Sequence, residues 1–592
     1  MTSTKAEIQT TARSSRHAST LAEAFQLTAA RCGEQIALRT RDGSQSLTWR
    51  EYAQRVRSVA AGLAASGVGR GETVALMMSN RPDFHTIDAA AFHLGATPFS
   101  IYNTYPAEEV AHLLRNSGSK VIATERAMLD TVLPAARAAG VEQLVVVDGV
   151  GDGMTLVELE ESGDPGFDFE AAWHAVEPGD VLTIIYTSGT TGPPKGVELS
   201  HANMLATLRS YAEVIDFPDQ GRVISWLPMA HIAERACSHY LPIAWGYTTT
   251  CVTDTREVIA ALPEVRPTWF FAVPRIWEKL KSGLEAGIAA ETDPEKKAAT
   301  EAALGVGLER SRAIQARQEL STELEERYAR FDELVLSKVR AKLGLDRACS
   351  INVGAAPTAP DVIEFFHALG IPLAELWGMS ESCASGAVNP PSRIKIGTVG
   401  PALPGFEIRL ADDGEILLRG PGVMAGYRGE PEKTREVLDE DGWLATGDLG
   451  EIDSDGYLKI VDRKKELIIN AAGKNMSPAN IESTLKTACA LIGQAVAIGD
   501  RRPYNVALLT LDPDATQAFV AAHNLHGGTL EQLACDDAIL VSIAKGVEQI
   551  KRYKVLGADW QPGSEELTPT QKLKRKPIAE KYAADIEALY RD

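Results

Sequence analysis

A chain of 592 residues is too long for one hydrophobic core, so several packed domains are expected. Its 45% hydrophobic and 24% charged residues exclude a disordered or fibrous protein, and 60 basic against 80 acidic residues, a formal charge of −20, argue against a nucleic acid partner. Seven cysteines, odd in number and without a C-x-x-C pair, indicate neither a disulfide framework nor a zinc knuckle and fit a reducing cytoplasm.

Residues 1–20 lack the apolar core of a secretory signal, and their Ser/Thr/Arg bias predicts a frayed leader. Behind it, the apolar runs TVALMM from residue 73, KVIATE from 120, LVVVD from 144, VLTIIY from 181 and SINVG from 350 alternate with Ala-rich helical stretches. That alternation predicts helix-covered parallel sheets, an α/β fold. Two long uncharged stretches, AAAFHLGATPFSIYNTYPA and ACSHYLPIAWGYTTTCVT, are interrupted by Pro, Thr and Gly and are read as buried protein, not as membrane spans.

In YTSGTTGPPKGVELSHANML, residues 186–205, a strand is expected to end at Tyr186 and a helix to start after Ser200. Between them, glycines let backbone amides turn inward, Thr187, Ser188, Thr190 and Thr191 carry hydroxyls, and Lys195 supplies positive charge. These are the parts of a triphosphate cradle, although a Gly/Pro turn without a ligand fits the same composition. A Walker A loop is excluded, because Pro194 stands where its second glycine is required.

Further on, 286–343 reads as a helical insertion: Asp293 is a plausible N-cap, Pro294 suits the first turn, and Leu320, Leu324, Tyr328, Phe331, Val335 and Val339 form one stripe expected to pack on its own domain. From about 395 the texture turns to Gly-punctuated strands, predicting a β-rich subdomain over 395–461. Mixed strands and helices resume after DRKKEL, 462–467. The expected division is therefore a large N-terminal domain, 21–462, and a small mobile α+β domain, 463–592.

The residue order in YTSGTTGPPKGV resembles the signature loop of the adenylate-forming superfamily: acyl-CoA synthetases, luciferases and peptide-synthetase adenylation domains. In that family the loop holds the β and γ phosphates of ATP, which implies this role for Thr187, Ser188, Gly189, Thr190, Thr191, Gly192 and Lys195. Other family motifs recur in order. GAAP (Gly354, Ala355, Ala356, Pro357) resembles the segment lining the adenine and acyl pockets. ELWGMSE resembles the family's Tyr-Gly-x-Thr-Glu, implying that Trp377, Gly378 and Ser380 border the nucleotide and that Glu381 binds Mg²⁺; Trp377 replaces the usual Tyr and Ser380 the usual Thr.

TGDLG resembles the motif whose aspartate accepts the ribose hydroxyls, here Asp448. Arg463 matches an arginine that contacts ribose and phosphate, and Asp462 falls at the interdomain hinge. LTPTQKLKRK resembles the last motif, so Lys572 would stabilise the charge that builds as carboxylate and ATP meet. Gln571 stands where many members have Gly, and Lys574, Arg575 and Lys576 are read as a solvated basic face, with contact to CoA phosphates as the alternative.

SWLPMAHIAER resembles the long-chain fatty acyl-CoA synthetases, which would place His231 at the acyl pocket; AAGKNMSP, with Gly473 and Lys474, resembles the loop used in the CoA step. The resemblance implies ATP and Mg²⁺ as cofactors and a fatty acid and CoA as cosubstrates, with peripheral membrane contact compatible with such a substrate. A fatty acyl-AMP ligase serving a carrier protein and a catalytically silent lipid-binding scaffold are the alternatives.

Overall fold

The computed structural model describes residues 14–149, 153–187, 193–469, 475–547, 550–561, 563–568 and 571–591. Every residue of the strands Thr73–Met77, Thr97–Ser100 and Val121–Thr124 is buried. Strands without a polar face can only lie inside a sheet covered on both sides. They form the parallel centre of an eight-stranded sheet, which continues through Gln143–Val146 to Met154–Thr155 on one side. On the other side follow Val181–Thr187, Lys195–Ser200 and Gly426–Tyr427.

The helices that cover this sheet start where their capping residues dictate. Trp49–Ala65 opens with a capping box between Thr48 and Glu51. His201–Ala212 begins after Ser200, whose hydroxyl accepts from the Asn203 N–H, at the start read from sequence. The path to that helix differs from the expectation of a simple loop. Residues 195–200 return as a strand antiparallel to Val181–Thr187, with Thr187 opposite Lys195. Val197 and Leu199 bury alternate positions of this strand, a period-2 signal too short to stand out beside the glycine-rich turn.

The two uncharged stretches are buried protein: the first spans the end of the buried helix Pro82–His93 and the strand Thr97–Ser100, and the second covers Leu241–Trp245 and Thr248–Cys251. Among the described residues no helix is long and apolar enough to cross a membrane. The expectation of a frayed leader does not hold for 14–20. Ser15 donates to the Ala244 carbonyl at 2.8 Å, Ala18 is fully buried, and Arg209 donates to the carbonyls of Arg16 and Ala18. Residues 1–13 lie outside the described residues.

Three further sheets complete the larger part of the chain. One runs in the order Arg222–Ser225, Thr248–Cys251, Ile36–Thr40 and Ser46–Thr48; a second pairs Trp269–Ala272, Ser350–Val353 and Leu373–Trp377 in parallel; the third is antiparallel, in the order Glu407–Leu410, Glu415–Arg419, Leu444–Ile452 and Leu458–Arg463. Within 286–343, Asp293 caps the helix Pro294–Gln315 with Pro294 in its first turn. A new helix, Thr322–Phe331, starts after the cap Ser321, so Leu320 of the expected stripe precedes it. Tyr328, Phe331, Val335 and Val339 pack against the cluster containing Trp277 and Phe366. The last sheet, Ile492–Ile498, Val506–Leu511 and Arg552–Leu556, belongs to the C-terminal part.

A buried polar seam joins the helix Pro82–His93 to the π-helical turn Arg235–Tyr240. Asp88 accepts from Arg235 at 2.6 Å and lies 2.9 Å from His239 Nε2, all with no exposed side chain. Close by, the buried Glu234 accepts N–H bonds from Trp226 and Leu227, an Asn80 amide and the Ser238 hydroxyl. Burial raises its pKa to about 7 against those donors. An unfolded Glu titrates near about 4.3, so the folded state binds this proton more tightly; the resulting stabilisation is full below that value and lost as pH rises through 7. We expect thermal melts to show stability falling from pH 5.5 to 8.0, by about 2 kcal/mol from this group, and Glu234→Gln to reduce that slope.

Candidate active site

Three strands end or pass close together to build the first part of the site. Leu373–Trp377 delivers Trp377, Leu444–Ile452 delivers Asp448, and Leu458–Arg463 places Arg463 directly opposite Asp448. The Trp377 indole N–H donates to Asp448 Oδ2 at 2.8 Å, and Arg463 Nε lies 2.9 Å from Oδ1. Each carboxylate oxygen thus has one donor and keeps acceptor capacity for further hydroxyls. The indole fits only because residue 386 is glycine: a Cβ there would stand 2.5 Å from the Trp377 ring. Gly386 was not singled out from the sequence, since nothing local marks its partner.

Glu381 is buried beside this group, its backbone carbonyl accepting from the Met424 N–H at 2.8 Å and its Oε1 accepting from the Tyr427 hydroxyl at 2.9 Å. Lys195 sits on the other side of Tyr427, its ammonium 4.1 Å from the ring centroid. Thr187 faces Lys195 across the hairpin, while Ser188, Gly189, Thr190, Thr191 and Gly192 lie outside the described residues. Gly354 is buried at the end of Ser350–Val353, where a Cβ would come within 3.0 Å of the Leu376 carbonyl. Ala355 follows with φ +69°, and Ala356 and Pro357 are exposed. Gly378 closes tightly on the Ala384 backbone, and Ser380 opens the short turn Ser380–Ser382.

The C-terminal part supplies Lys572. Its surface area is that of an exposed residue, whereas the surrounding protein lowers its proton affinity as burial does. The side chain reaches into an open cleft whose walls disfavour its charged form. Burial leads, the Arg463 charge adds to it, and Asp448, Glu466 and Glu381 oppose it. Gln571 before it has φ +63°, the left-handed region, which gives a physical reason for glycine at this position.

His231 Nδ1 accepts from the Ala233 N–H, capping the turn Ile232–Glu234. Burial and the Lys572 charge push its pKa down to about 3, so its imidazole is neutral at ordinary pH. Asp462 is buried and accepts from its neighbour's N–H and from the hydroxyl of Ser477, the cap of Pro478–Ala488. Gly473 and Lys474 lie outside the described residues.

The basic run after Lys572 is not a uniformly solvated face. Arg575 pairs with Glu482 at 2.6 Å and Glu466 at 3.0 Å, and the Lys574 ammonium donates to the Ser564 carbonyl at 2.9 Å; Lys576 stays exposed. Further ion pairs hold the C-terminal part against the helix Pro274–Ala289: Arg275 with Asp512, Glu278 with Lys486 at 3.0 Å, and Lys279 with Asp514 at 3.1 Å. Among the described residues no cluster of three or more His, Cys, Asp or Glu side chains is placed to hold a metal ion. Glu381 offers a single hard oxygen donor, which suits a magnesium ion completed by phosphate oxygens and water.

The AMP-binding enzyme family matches residues 25–428, and the AMP-binding enzyme C-terminal domain family matches 465–592. A Mycobacterium tuberculosis protein named as a fatty-acid–CoA ligase, fadD11, is 51% identical over 448 residues, 74% of this chain and 78% of that one. Long-chain-fatty-acid–CoA ligase FadD15 of Mycobacterium bovis is 34% identical over 570 residues, 92% of each chain. Among solved structures, the anthranilate CoA ligase AuaEII with anthranoyl-AMP has a TM-score of 0.72 at 17% identity, covering 95% of this chain and 97% of that one, a likeness of fold. The Mycobacterium tuberculosis fatty acyl CoA synthetase has a TM-score of 0.62 at 23% identity, covering 96% and 99%. With a family match over more than half its length and these relatives, the chain belongs to the AMP-binding enzymes, on their fatty-acid–CoA ligase branch.

Proposed function

We propose that this chain is an AMP-forming acyl-CoA synthetase acting on long-chain fatty acids. The fatty carboxylate attacks the α-phosphorus of ATP and displaces pyrophosphate; the CoA thiolate then attacks the acyl carbon and displaces AMP. The observation that carries this reading is the convergence of Lys572, Arg463, Asp448 and Glu381 on one cleft from both parts of the chain. Magnesium, when bound with the nucleotide, supplies positive charge to the phosphates, and Glu381 is the residue that would hold it.

Each side chain has a distinct task in this proposal. Asp448 accepts the ribose hydroxyls, with Trp377 and Arg463 fixing both its oxygens. The segment from Thr187 through Ser188, Gly189, Thr190, Thr191 and Gly192 to Lys195 holds phosphates, and Gly354, Ala355, Ala356, Pro357, Gly378 and Ser380 line the adenine and carboxylate side. Lys572 brings positive charge to the point where two anions must approach. His231, neutral and half-buried, is assigned to the acyl pocket. The thioester step needs another arrangement, because a lysine reaching into the cleft and an incoming CoA would compete for the same space. The division into 21–462, with the insertion 286–343 and the β-rich 395–461, and 463–592, with rotation about Asp462 bringing Gly473 and Lys474 inward, is part of the same proposal. A cytoplasmic enzyme with peripheral membrane contact would suit a substrate that partitions into lipid.

The test is incubation of the protein with Mg-ATP and C8 to C24 fatty acids, with and without CoA, followed by mass detection of products. Acyl-CoA formed only when CoA is supplied is the expected result. Acyl-AMP that accumulates regardless of CoA would identify an acyl-AMP ligase instead, and the absence of both products would leave a binding scaffold.

A further inference from the structure

Tyr427 lies outside every motif that the sequence singles out. The two-residue strand Gly426–Tyr427 pairs antiparallel with Lys195–Ser200 and forms an edge of the eight-stranded sheet. This register sets its ring under the Lys195 ammonium, 4.1 Å from the centroid, while its hydroxyl donates to Glu381 Oε1 at 2.9 Å. The ring cannot swing away. Its side chain is largely buried, its backbone N–H donates to Thr434 Oγ1 at 2.9 Å, and the next residue, Arg428, bonds through N–H to the Gly196 carbonyl at 2.7 Å and by its guanidinium to Glu198 at 3.0 Å. Burial and the Glu381 charge raise the phenol above its ordinary range, so it keeps its proton and donates.

A tyrosine serving only the core needs one partner for its hydroxyl and no cation on its face. Among the described residues neither Lys195 nor Glu381 has an ion-pair partner. Tyr427 therefore holds a cation and an anion in place without neutralising either. A π face leaves ammonium N–H groups free to donate, and one hydroxyl occupies one carboxylate oxygen only. We propose that Tyr427 is a positioning residue: it fixes Lys195 and Glu381 relative to each other, both charges intact, to take a nucleoside triphosphate and its divalent cation. This rests on the nucleotide reading above.

Tyr427→Phe keeps the ring and removes the hydroxyl; Tyr427→Leu removes both. ATP affinity is measured by calorimetry in EDTA and again in Mg²⁺, with ligand-free melting as a check on folding. The wild type should bind ATP more tightly in Mg²⁺ than in EDTA. Tyr427→Phe should bind ATP in EDTA within about twofold of wild type while losing most of an approximately tenfold magnesium-dependent gain. Tyr427→Leu should also lose at least about threefold in EDTA. A phenylalanine variant that keeps the full magnesium gain, or loses metal-free binding equally, overturns the proposal. Should Tyr427→Leu not fold, the phenylalanine variant alone decides. Failure of the wild type to bind ATP under either condition would overturn the nucleotide reading, and this proposal with it.

Discussion

Replacing Lys572 by Ala is expected to slow acyl-adenylate formation by at least ~100-fold while leaving thioester formation from supplied acyl-adenylate and CoA within about twofold. The ammonium reaches the cleft that holds Asp448, Arg463 and Glu381, where repulsion between a carboxylate and the α-phosphate must be overcome. It has no comparable task once the acyl-adenylate exists. Pyrophosphate release in the first half-reaction and AMP release in the second separate the two, with Lys576→Ala, an exposed side chain, as the control. Equal loss in both half-reactions would refute the division of labour. Because its surroundings lower the pKa of Lys572, the ammonium loses its proton at a lower pH than an ordinary lysine. The adenylation rate should therefore fall at a pH below the usual lysine range, and the thioester step should lack that limb.

Asp448→Asn should raise the KM for ATP by about 10–100-fold with a smaller change in kcat, the loss expected for a charge-assisted hydrogen bond to a bound ligand. The substitution keeps the side-chain size but replaces one acceptor with an N–H₂ group. That group must face either the Trp377 indole N–H or the Arg463 guanidinium, and both are donors. Trp377→Phe removes the indole donor and keeps an aromatic face, so its KM effect should be smaller, about fivefold. Steady-state kinetics at saturating fatty acid, paired with thermal melts, checks this. A lower melting temperature with an unchanged KM would show that the Trp377–Asp448–Arg463 chain supports the fold alone.

Much of this architecture is legible in local patterns because local rules produced it. The helix starts after Ser200 and after Asp293 follow from capping by side chains within three residues. The buried strands near 73, 121, 181 and 350 follow from apolar runs bounded by turn residues. The motifs carrying Lys195, Glu381, Asp448 and Lys572 are recognised by order alone. Other features depend on partners distant in sequence. The return strand 195–200 reads as loop because it is short and glycine-led. The helix of the insertion breaks before Ser321, which amphipathic spacing does not reveal. Arg575 in a basic run reads as solvated, yet Glu466 and Glu482, about a hundred residues earlier, neutralise it.

The sequence by itself determined the fold class, the family and the residue types available for chemistry, since each is encoded in spacing over a few tens of residues. Tertiary structure decided how those residues are held. It put Gly386 beneath Trp377, gave Gln571 a left-handed backbone before Lys572, and set Tyr427 between Lys195 and Glu381. The Lys195–Tyr427 contact joins residues more than two hundred positions apart, through one edge strand of a sheet. No local pattern carries it, because a cation over a ring and a hydroxyl on a carboxylate are settled by packing geometry, which exists only once the strands have paired.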